Sequence, residues 1–399
     1  MHRALLGAAL LGVWIAQAQS PAPLTPAPLT FDQLLTKAVP DPLTLRLEAD
    51  LAARQRQLAA TGGLLREGAT VAVEAGRRTG PNGASTDKTA EVDLPLMLAA
   101  GDRQRAGASL DRLQGPLLAL AKAESRHRLR QAYLDAWLEM TQVAQRQSQM
   151  ALMGTWLKVA QARVDSGADP AYQADLVRGD LLKLETELSE AQRRWIEAWG
   201  RLRSLADLPL EPQPLASPGT AKLPALENAT RAFEQSLYRR VQTDRATADL
   251  TAFELEQSLK RSRWSLRGSY ASEGDERIAK LGVGFRLPRP GELSAQNRER
   301  ATGRRALERE SQNAASQLES RFQAALARAR SFPGTVELPS FGSALAAVDV
   351  RLKEGKERPS EALLIRRQLL EAESAALLRL HEAHALVAEL ELLILGDAR

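Results

Sequence analysis

The chain has 399 residues, of which 4% are aromatic and 26% are charged, and its formal net charge is +5. Alanine, leucine, glutamate, glutamine and arginine dominate, a composition typical of long helices packed along seams rather than of separate globular domains. The positive excess is small and scattered, so the sequence predicts no nucleic-acid partner. The sequence has no cysteine, which excludes disulfides, thiolate metal sites and lipid attachment through an N-terminal cysteine.

The first residues have the features of a targeting segment. The chain begins with Met1-His-Arg, continues as an apolar run to Ile15 and then reads Ala16-Gln-Ala18. A basic end, a short apolar core and an A-x-A site predict a secretory signal peptide over residues 1–18. Residues 19–28 are proline-rich and predict an extended leader. No later stretch has about 18 consecutive apolar residues, so any membrane span would have to consist of β-strands.

A first repeat is predicted over residues 29–206. Its segments are a helix, a β-hairpin over residues 69–96, a helix over residues 101–166 and a heptad helix over residues 170–206. The hairpin follows from the alternation of apolar and polar residues, and the long helix would extend on the order of 100 Å. The heptad helix has a stripe with steps of four and three, typical of a coiled coil: Val177, Leu181, Leu184, Leu188, Ala191, Trp195, Ala198, Leu202 and Leu205.

A proline-rich linker over residues 207–224 leads to a second repeat over residues 225–399. After an initial helix, its segments are a β-hairpin over residues 263–287, an interrupted long helix over residues 293–354 and a heptad helix over residues 359–396. The corresponding stripe, which Arg379 alone should break, is Ile365, Leu369, Ala372, Ala376, Arg379, Ala383, Leu386, Leu390 and Leu393. The sequence thus predicts a mainly α protein with a small β part.

Two segments should make the repeats differ. Gly115-Pro116 lies inside the first long helix and predicts a kink or a restart there. Residues 332–340 contain two prolines and a glycine, so they should interrupt the second long helix.

A helix-to-helix turn occurs twice, at a fixed offset of 188 residues. The first copy spans residues 162–170 around Gly167, and the second spans residues 350–358 around Gly355. Each glycine stands where an αL residue closes one helix, and a proline follows where the next can start. One copy alone would be explained by an ordinary αα-hairpin, but two copies half a chain apart favour a duplicated architecture.

This order of elements, with the signal peptide, resembles the TolC-type outer-membrane efflux factors. The motifs that carry the resemblance are Leu29-Thr-Phe-Asp-Gln-Leu34, Asp41-Pro42, Leu94-Pro95, Leu287-Pro288, Glu361-Ala-Leu-Leu364, Gln368-Leu-Leu-Glu-Ala-Glu373 and Leu392-Leu-Ile-Leu-Gly396. The resemblance implies a homotrimeric α-helical tunnel in the periplasm, topped by a shared transmembrane β-barrel in outer-membrane lipid. It also implies docking to a periplasmic adaptor protein and an inner-membrane pump. Independently, two separate hairpins would expose four strand edges and could not close a barrel alone.

The alternation along the strands divides their residues into two sets, although a soluble half-buried sheet would alternate in the same way. The set predicted to line the barrel lumen is Glu74, Glu91, Asp93, Arg267, Lys280 and Arg286. The set predicted to face lipid is Val71, Val73, Val92, Trp264, Leu266, Val283 and Phe285.

The two glycine turns are the candidate docking site. Arg163 and Arg351 precede the glycines by four residues, where a cation is favoured by the helix dipole and can bond the last carbonyls. Capping is the simpler interpretation, and the resemblance adds contact of Gly167 and Gly355 with the adaptor. The acidic residues that could ring the tunnel mouth are Asp165, Asp169, Glu354 and Glu357.

The sequence contains little evidence for a catalytic, cofactor or metal site. His381 and His384 could hold a metal at helical spacing, but solvated coil positions are the simpler interpretation. Phosphate loops, nucleophile elbows and HExxH motifs are absent from the sequence, so neither an enzyme nor a cofactor is predicted. The predicted function is a passive outer-membrane duct for exported small molecules or protein. The alternatives are a periplasmic coiled-coil spacer without a pore and a periplasmic adaptor, whose single helical hairpin matches less well.

Overall fold

A computed structural model of the chain provides the structure. It describes residues 27–60, 70–80, 83–95, 100–261, 264–273, 276–285 and 290–396. The predicted signal peptide, most of the leader, and the Leu287-Pro288 motif lie outside these residues.

The first repeat contains the longest helix, α3, whose 66 residues extend about 100 Å at 1.5 Å per residue. Its elements in chain order are α1 (Phe31–Thr36), α2 (Pro42–Ala60), β1 (Thr70–Gly80), β2 (Gly83–Pro95), α3 (Ala100–Asp165) and α4 (Tyr172–Arg203).

The second repeat has the same order, but its long helix is in two pieces. The linker ahead of it contains β3 (Ala221–Lys222). The elements of the second repeat are a 3₁₀ turn (Leu226–Asn228), α5 (Ala229–Glu234), α6 (Leu237–Arg261), β4 (Trp264–Glu273), β5 (Glu276–Phe285), α7 (Glu292–Arg330), β6 (Thr335–Val336), α8 (Gly342–Lys353) and α9 (Pro359–Leu393). Among the described residues, every helix is too short or too polar to cross a membrane.

Of the kink or restart predicted at Gly115-Pro116, the restart does not occur, because α3 continues through Pro116. Proline removes one backbone hydrogen bond and restricts the residue before it, because its ring clashes with the preceding Cβ atom. Here the preceding residue is Gly115, which has no Cβ, so the second penalty is reduced.

The two hairpins join into one four-stranded antiparallel sheet with the order β1-β2-β4-β5. Strand β2 pairs with β4, for example through Leu94 and Leu266. The expectation that two separate hairpins would expose four strand edges is therefore wrong. Only β1 and β5 have a free edge within the described sheet.

A belt of short segments packs against the long helices at mid-height, and we define it as residues 29–38, which include α1, with residues 207–224 and 331–341. Strand β3 of the linker pairs with β6, which lies in the break between α7 and α8. The N-terminal Leu29 N–H donates to the Pro214 carbonyl at 2.9 Å, and the Tyr133 hydroxyl of α3 donates to the Ala216 carbonyl at 2.6 Å. The interruption of the second long helix thus provides a strand for the linker to bind.

The heptad stripe of α4 packs against α3. Its members Val177, Leu184, Ala191, Ala198 and Leu202 are at most 4% exposed. All of these except Ala191 belong to apolar clusters that include α3 residues. This agrees with the burial that the heptad pattern predicts.

The stripe predicted for α9 is wrong in its middle. Ala372 is exposed as well as Arg379, whereas Leu377 and Leu380 are buried at 0% and 2% exposure. The reason is that α9 contacts α3, α4, α7, α8 and both belt strands, so the side that faces a partner changes along the helix. The Arg379 guanidinium lies over the Phe332 ring of the belt, 5.8 Å from its centroid.

The two histidines of α9 are at least partly buried and contact other segments, so the sequence interpretation of solvated positions is wrong. His381 Nε2 lies 2.9 Å from Asp135 Oδ1 on α3. His384 is 6% exposed, and its Nε2 lies 3.1 Å from the Gly219 carbonyl in the belt. His384 thus connects the linker to α9. In the part of the chain that the structure describes, no three His, Asp or Glu residues are grouped to hold a metal ion.

We predict that His384 makes the stability depend on pH. Burial lowers the pKa of His384 below its ordinary value, so the folded state binds this proton less readily than the unfolded state does. Stability should therefore fall as pH drops through the ordinary histidine range towards the folded pKa. Thermal unfolding should be measured at pH 7.5 and 5.5. The midpoint should fall more between these pH values for the wild type than for His384→Gln, whose amide can still donate to the Gly219 carbonyl.

The same measurement controls for other groups. Burial also lowers the pKa of His127. His127 contributes equally to the pH dependence of the wild type and of the variant, so its effect cancels when their two drops are compared. Equal drops for the wild type and the variant would contradict the assignment to His384.

Candidate functional site

The two turns predicted from the repeat have the same backbone conformation. Gly167 has φ = 73° and Gly355 has φ = 74°, the left-handed region that side chains other than glycine rarely adopt. In the first turn, Ala168 N–H donates to the Arg163 carbonyl at 2.9 Å, and Gly167 N–H donates to the Val164 carbonyl at 2.9 Å. This pair of bonds is the Schellman motif, which satisfies carbonyls at a helix end.

The second turn repeats these bonds at the equivalent positions. Lys356 N–H donates to the Arg351 carbonyl at 2.9 Å, and Gly355 N–H donates to the Leu352 carbonyl at 3.1 Å. Each glycine is therefore required by the backbone, independently of any partner.

An arginine–carboxylate ion pair closes each turn. Arg163 Nε lies 2.6 Å from Asp169 Oδ2, and Arg351 Nε lies 2.7 Å from Glu357 Oε2. The two arginines are related by the repeat offset, and so are the two acids. Asp169 and Glu357 are thus neutralised within the chain, whereas Asp165 and Glu354 are exposed beside the turns.

The two turns lie side by side. Arg163 Nη1 donates to the Glu357 carbonyl at 3.2 Å, and a Cβ atom added to Gly355 would lie 3.6 Å from the same guanidinium nitrogen. The Ser360 N–H donates to Gln173 Oε1 at 3.1 Å. The predicted residues Arg163, Gly167, Arg351 and Gly355 therefore belong to one surface.

An apolar core above the turns holds the two helical hairpins together. It includes the fully buried Met153 and Trp156 of α3, Val177 of α4 and Leu352 of α8. The Trp156 indole Nε1 donates to Asp349 Oδ1 on α8 at 2.9 Å. The positions of the turns relative to each other are thus fixed by packing as well as by polar contacts.

A buried arginine that the sequence analysis did not single out lies in the same region. Arg366 of α9 is 4% exposed; its Nη2 donates to Gln149 Oε1 at 3.1 Å, and its Nη1 lies 3.6 Å from Asp180 Oδ2. The repeat offset relates Arg366 to Arg178, whose side chain is 54% exposed. Sequence spacing therefore gave no signal for its burial, since the same residue type is solvated in the first repeat.

The four-stranded sheet is the second candidate site, and its pairing register sorts the predicted residues by face. Directly opposed residues share a face, and faces alternate along each strand. The pairs on the apolar face include Val71 with Val92, Leu94 with Leu266, Leu266 with Val283, and Trp264 with Phe285. All seven residues predicted to face lipid therefore lie on one face.

The polar residues lie on the opposite face. Asp93 pairs with Arg267, and Ser269 pairs with Lys280, while Glu74 and Glu91 occupy the same face in the β1–β2 register. Arg267 Nε lies 3.5 Å from Asp93 Oδ2 across the two hairpins. Arg286 is outside the described residues. The assignment of the two faces to lipid and lumen stays a prediction.

The apolar face is exposed in the single chain. Val73 is 73% exposed, Leu281 is 81% exposed and Val283 is 65% exposed. Contiguous exposed apolar surface of this kind marks an interaction with lipid or with another chain.

The paired helical hairpins, the mid-height belt and the antiparallel sheet at one end define the fold of the TolC-type outer-membrane efflux channels. The solved structures with this fold include the Campylobacter jejuni CmeC outer membrane channel, with a TM-score of 0.71 and 13% identity over 92% of this chain and 87% of that one. The Vibrio cholerae outer membrane protein VceC has a TM-score of 0.66 and 12% identity, over 92% and 97%. The outer-membrane channel OprN has a TM-score of 0.66 and 15% identity, over 92% and 90%.

The resemblance stated from the sequence is thus confirmed for the fold. No protein-family model and no curated protein matches the sequence. Because the identities are only 12–15%, the structural likeness establishes the fold alone. The activity and the partners of this chain are therefore proposals.

We predict that Arg366 contributes more to stability than its neighbour Arg367, although both contact Asp180. Removing one member of a buried ionic group typically costs about 3–5 kcal/mol, whereas an exposed pair contributes about 0–1 kcal/mol. Arg366→Ala should lower the unfolding midpoint strongly, towards the lower end of that range because Arg367 still pairs with Asp180 at 3.0 Å. Arg367→Ala should change it little.

Arg366→Met provides a further comparison, because it keeps most of the side-chain volume and removes the charge. The loss of stability should be smaller for Arg366→Met than for Arg366→Ala. Equal midpoints for the Arg366→Ala and Arg367→Ala proteins would show that the buried contacts contribute no more than the exposed pair.

Proposed function

We propose that the chain is the outer-membrane channel of a tripartite efflux or type I secretion system, a passive duct through periplasm and outer membrane. The single observation that carries this proposal is the combination of the channel fold with an exposed apolar sheet face. A periplasmic spacer without a membrane part would have no reason to expose that face to water, so this observation disfavours the alternative.

The proposed assembly is a homotrimer with a shared β-barrel in outer-membrane lipid. The described strands contain 10 to 13 residues, and a tilted strand needs about 9–11 residues to cross a bilayer. One chain leaves the edges of β1 and β5 unpaired, and pairing these edges between chains would close the sheet. The polar face, with Glu74, Glu91, Asp93, Arg267 and Lys280, and the predicted Arg286, would line the lumen.

The proposed docking surface for a periplasmic adaptor and its inner-membrane pump is the pair of glycine turns. Both turns lie at the end of the helical hairpins opposite the sheet, about the length of a long helix away from it. No side chain projects from either glycine, and both glycines are exposed. An adaptor segment could therefore approach the backbone closely.

The proposed tunnel mouth is acidic. Asp169 and Glu357 are paired with arginines of their own chain, so Asp165 and Glu354 have the more accessible carboxylates. Glu354 also lies 2.7 Å from Lys356 Nζ. In a trimer these residues would favour the passage of cations, and loss of Asp165 would weaken that preference most because its neighbour is the uncharged Gln161.

Cysteine labelling tests the barrel on adjacent positions of one strand. The natural sequence has no cysteine, so Lys280→Cys and Leu281→Cys each introduce the only thiol. In outer membranes, a water-soluble maleimide should react at position 280 and slowly at position 281, because only the polar face meets water. Equal rates at the two positions would refute the assignment of faces to lumen and lipid.

Replacement of both turn glycines tests the docking role. Gly167→Val with Gly355→Val adds bulk where the backbone is left-handed, so we expect export to be lost while the trimer still reaches the membrane. Export is measured as cellular accumulation of a fluorescent substrate, and assembly as trimer migration in unheated gels. Normal export in the double variant would contradict docking, and loss of the trimer would support capping alone.

Gly291→Val is the matched control. Gly291 also has a left-handed backbone, with φ = 81°, and has nothing within 4 Å of an added Cβ atom. It lies before α7, far from the turns, so it carries the same backbone strain without the docking surface. Loss of export in this control as well would assign the defect to strain.

A further inference from the structure

A groove at mid-height has no role in the proposed channel. It lies between the middle of α3, the start of α6 and the end of α9, and it has a volume of about 640 Å³. Binding sites for small organic molecules typically have about 300–1,000 Å³. We call it the α3–α9 groove; its lining is Phe31, Gly115, Pro116, Ala119, Lys122, Ala123, Arg126, His127, Arg130, Leu237, Arg240, Ala388, Glu391, Leu392, Leu395 and Gly396.

The floor of the groove is apolar. Leu237 and Leu392 are buried, at 3% and 7% exposure, and Pro116 and Ala123 add further apolar surface. The tail after α9 is fixed at one end of this floor, because Leu237 N–H donates to the Leu395 carbonyl at 2.8 Å. A backbone hydrogen bond between α6 and the segment after α9 therefore holds this end of the floor.

The rim of the groove is cationic. Lys122, Arg126, Arg130 and Arg240 lie on it, and Glu391 is the one carboxylate among the described lining residues. Arg130 pairs with Glu391, and Arg240 Nε lies 3.7 Å from Asp244. In the described ranges, neither Lys122 nor Arg126 has an ion-pair partner. The rim thus has more positive charge than its own carboxylates neutralise.

We infer that the α3–α9 groove binds a long-chain fatty-acid anion. The apolar floor would hold the hydrocarbon chain, and Lys122 and Arg126 would pair with the carboxylate at the rim. A cationic amphiphile would meet repulsion at the same rim, and a small anion would leave the floor uncovered. The inference does not depend on the channel proposal, since the groove lies within one chain.

The direct test uses a fluorescent fatty acid, 11-(dansylamino)undecanoate, with the full-length protein in a neutral maltoside detergent. Its emission should rise on binding, relative to detergent micelles alone, and dodecanoate should displace it. Dodecyltrimethylammonium, with an equal chain and the opposite charge, should displace it poorly. Displacement by both amphiphiles with equal potency would overturn the inference.

Charge variants locate the headgroup. Lys122→Gln with Arg126→Gln should weaken binding roughly 2- to 30-fold, because each exposed ion pair contributes a modest energy. The control is Lys158→Gln with Arg178→Gln, which removes two exposed cations near the turns, distant from the groove, and should leave the affinity unchanged. Unchanged affinity in the first pair would refute the rim site.

A floor variant and an accessibility measurement complete the test. Ala123→Trp should fill the groove and abolish binding, and its circular-dichroism spectrum and melting curve verify folding. Arg126→Cys in the assembled protein should react readily with a water-soluble maleimide. Protection of that thiol would show that another copy of the chain covers the groove, which would also overturn the inference.

Discussion

A helix of about 100 Å is stable in water only if its apolar residues are covered along the whole length, because helix propensity alone contributes little. The α3 helix satisfies this constraint by changing partners as it proceeds. It contacts α2 and α6 towards the sheet, α1 and α9 in the middle, and α4 and α8 towards the turns. The other long helices are thus arranged around α3, and both the sheet and the turns are held at its ends.

Polar contacts fix the register between the helices, which the apolar seams alone do not determine. Apolar stripes permit two helices to slide by a turn, whereas a buried charge has few acceptable positions. Arg366 with Gln149 and Asp180, and Arg163 with the backbone of the second turn, fix the hairpins against each other. The proposed docking surface therefore depends also on Arg366, a buried side chain that lies outside that surface.

The sequence predicted local features better than contacts between distant segments. The reversals at Gly167 and Gly355, the strand alternation and the α4 stripe depend on neighbouring residues, and they could be predicted from patterns alone. The burial of His384 depends on Gly219, which is 165 residues away. The middle of α9 was predicted from the repeat, but α9 packs against several helices at once, so its buried face does not follow one seam. The α3–α9 groove also requires three distant helices and gives no local signal.

The strand order has a consequence for how chains can join. The strands β1, β2, β4 and β5 alternate in direction across the sheet, so β5 runs opposite to β1. In a closed ring of copies, the β5 edge of one copy would therefore meet the β1 edge of the next as another antiparallel neighbour, whatever the number of copies. A unit with an odd number of strands would create a parallel junction at every boundary. Duplication of a hairpin, rather than of a single strand, thus preserves the parity that a ring of identical chains needs.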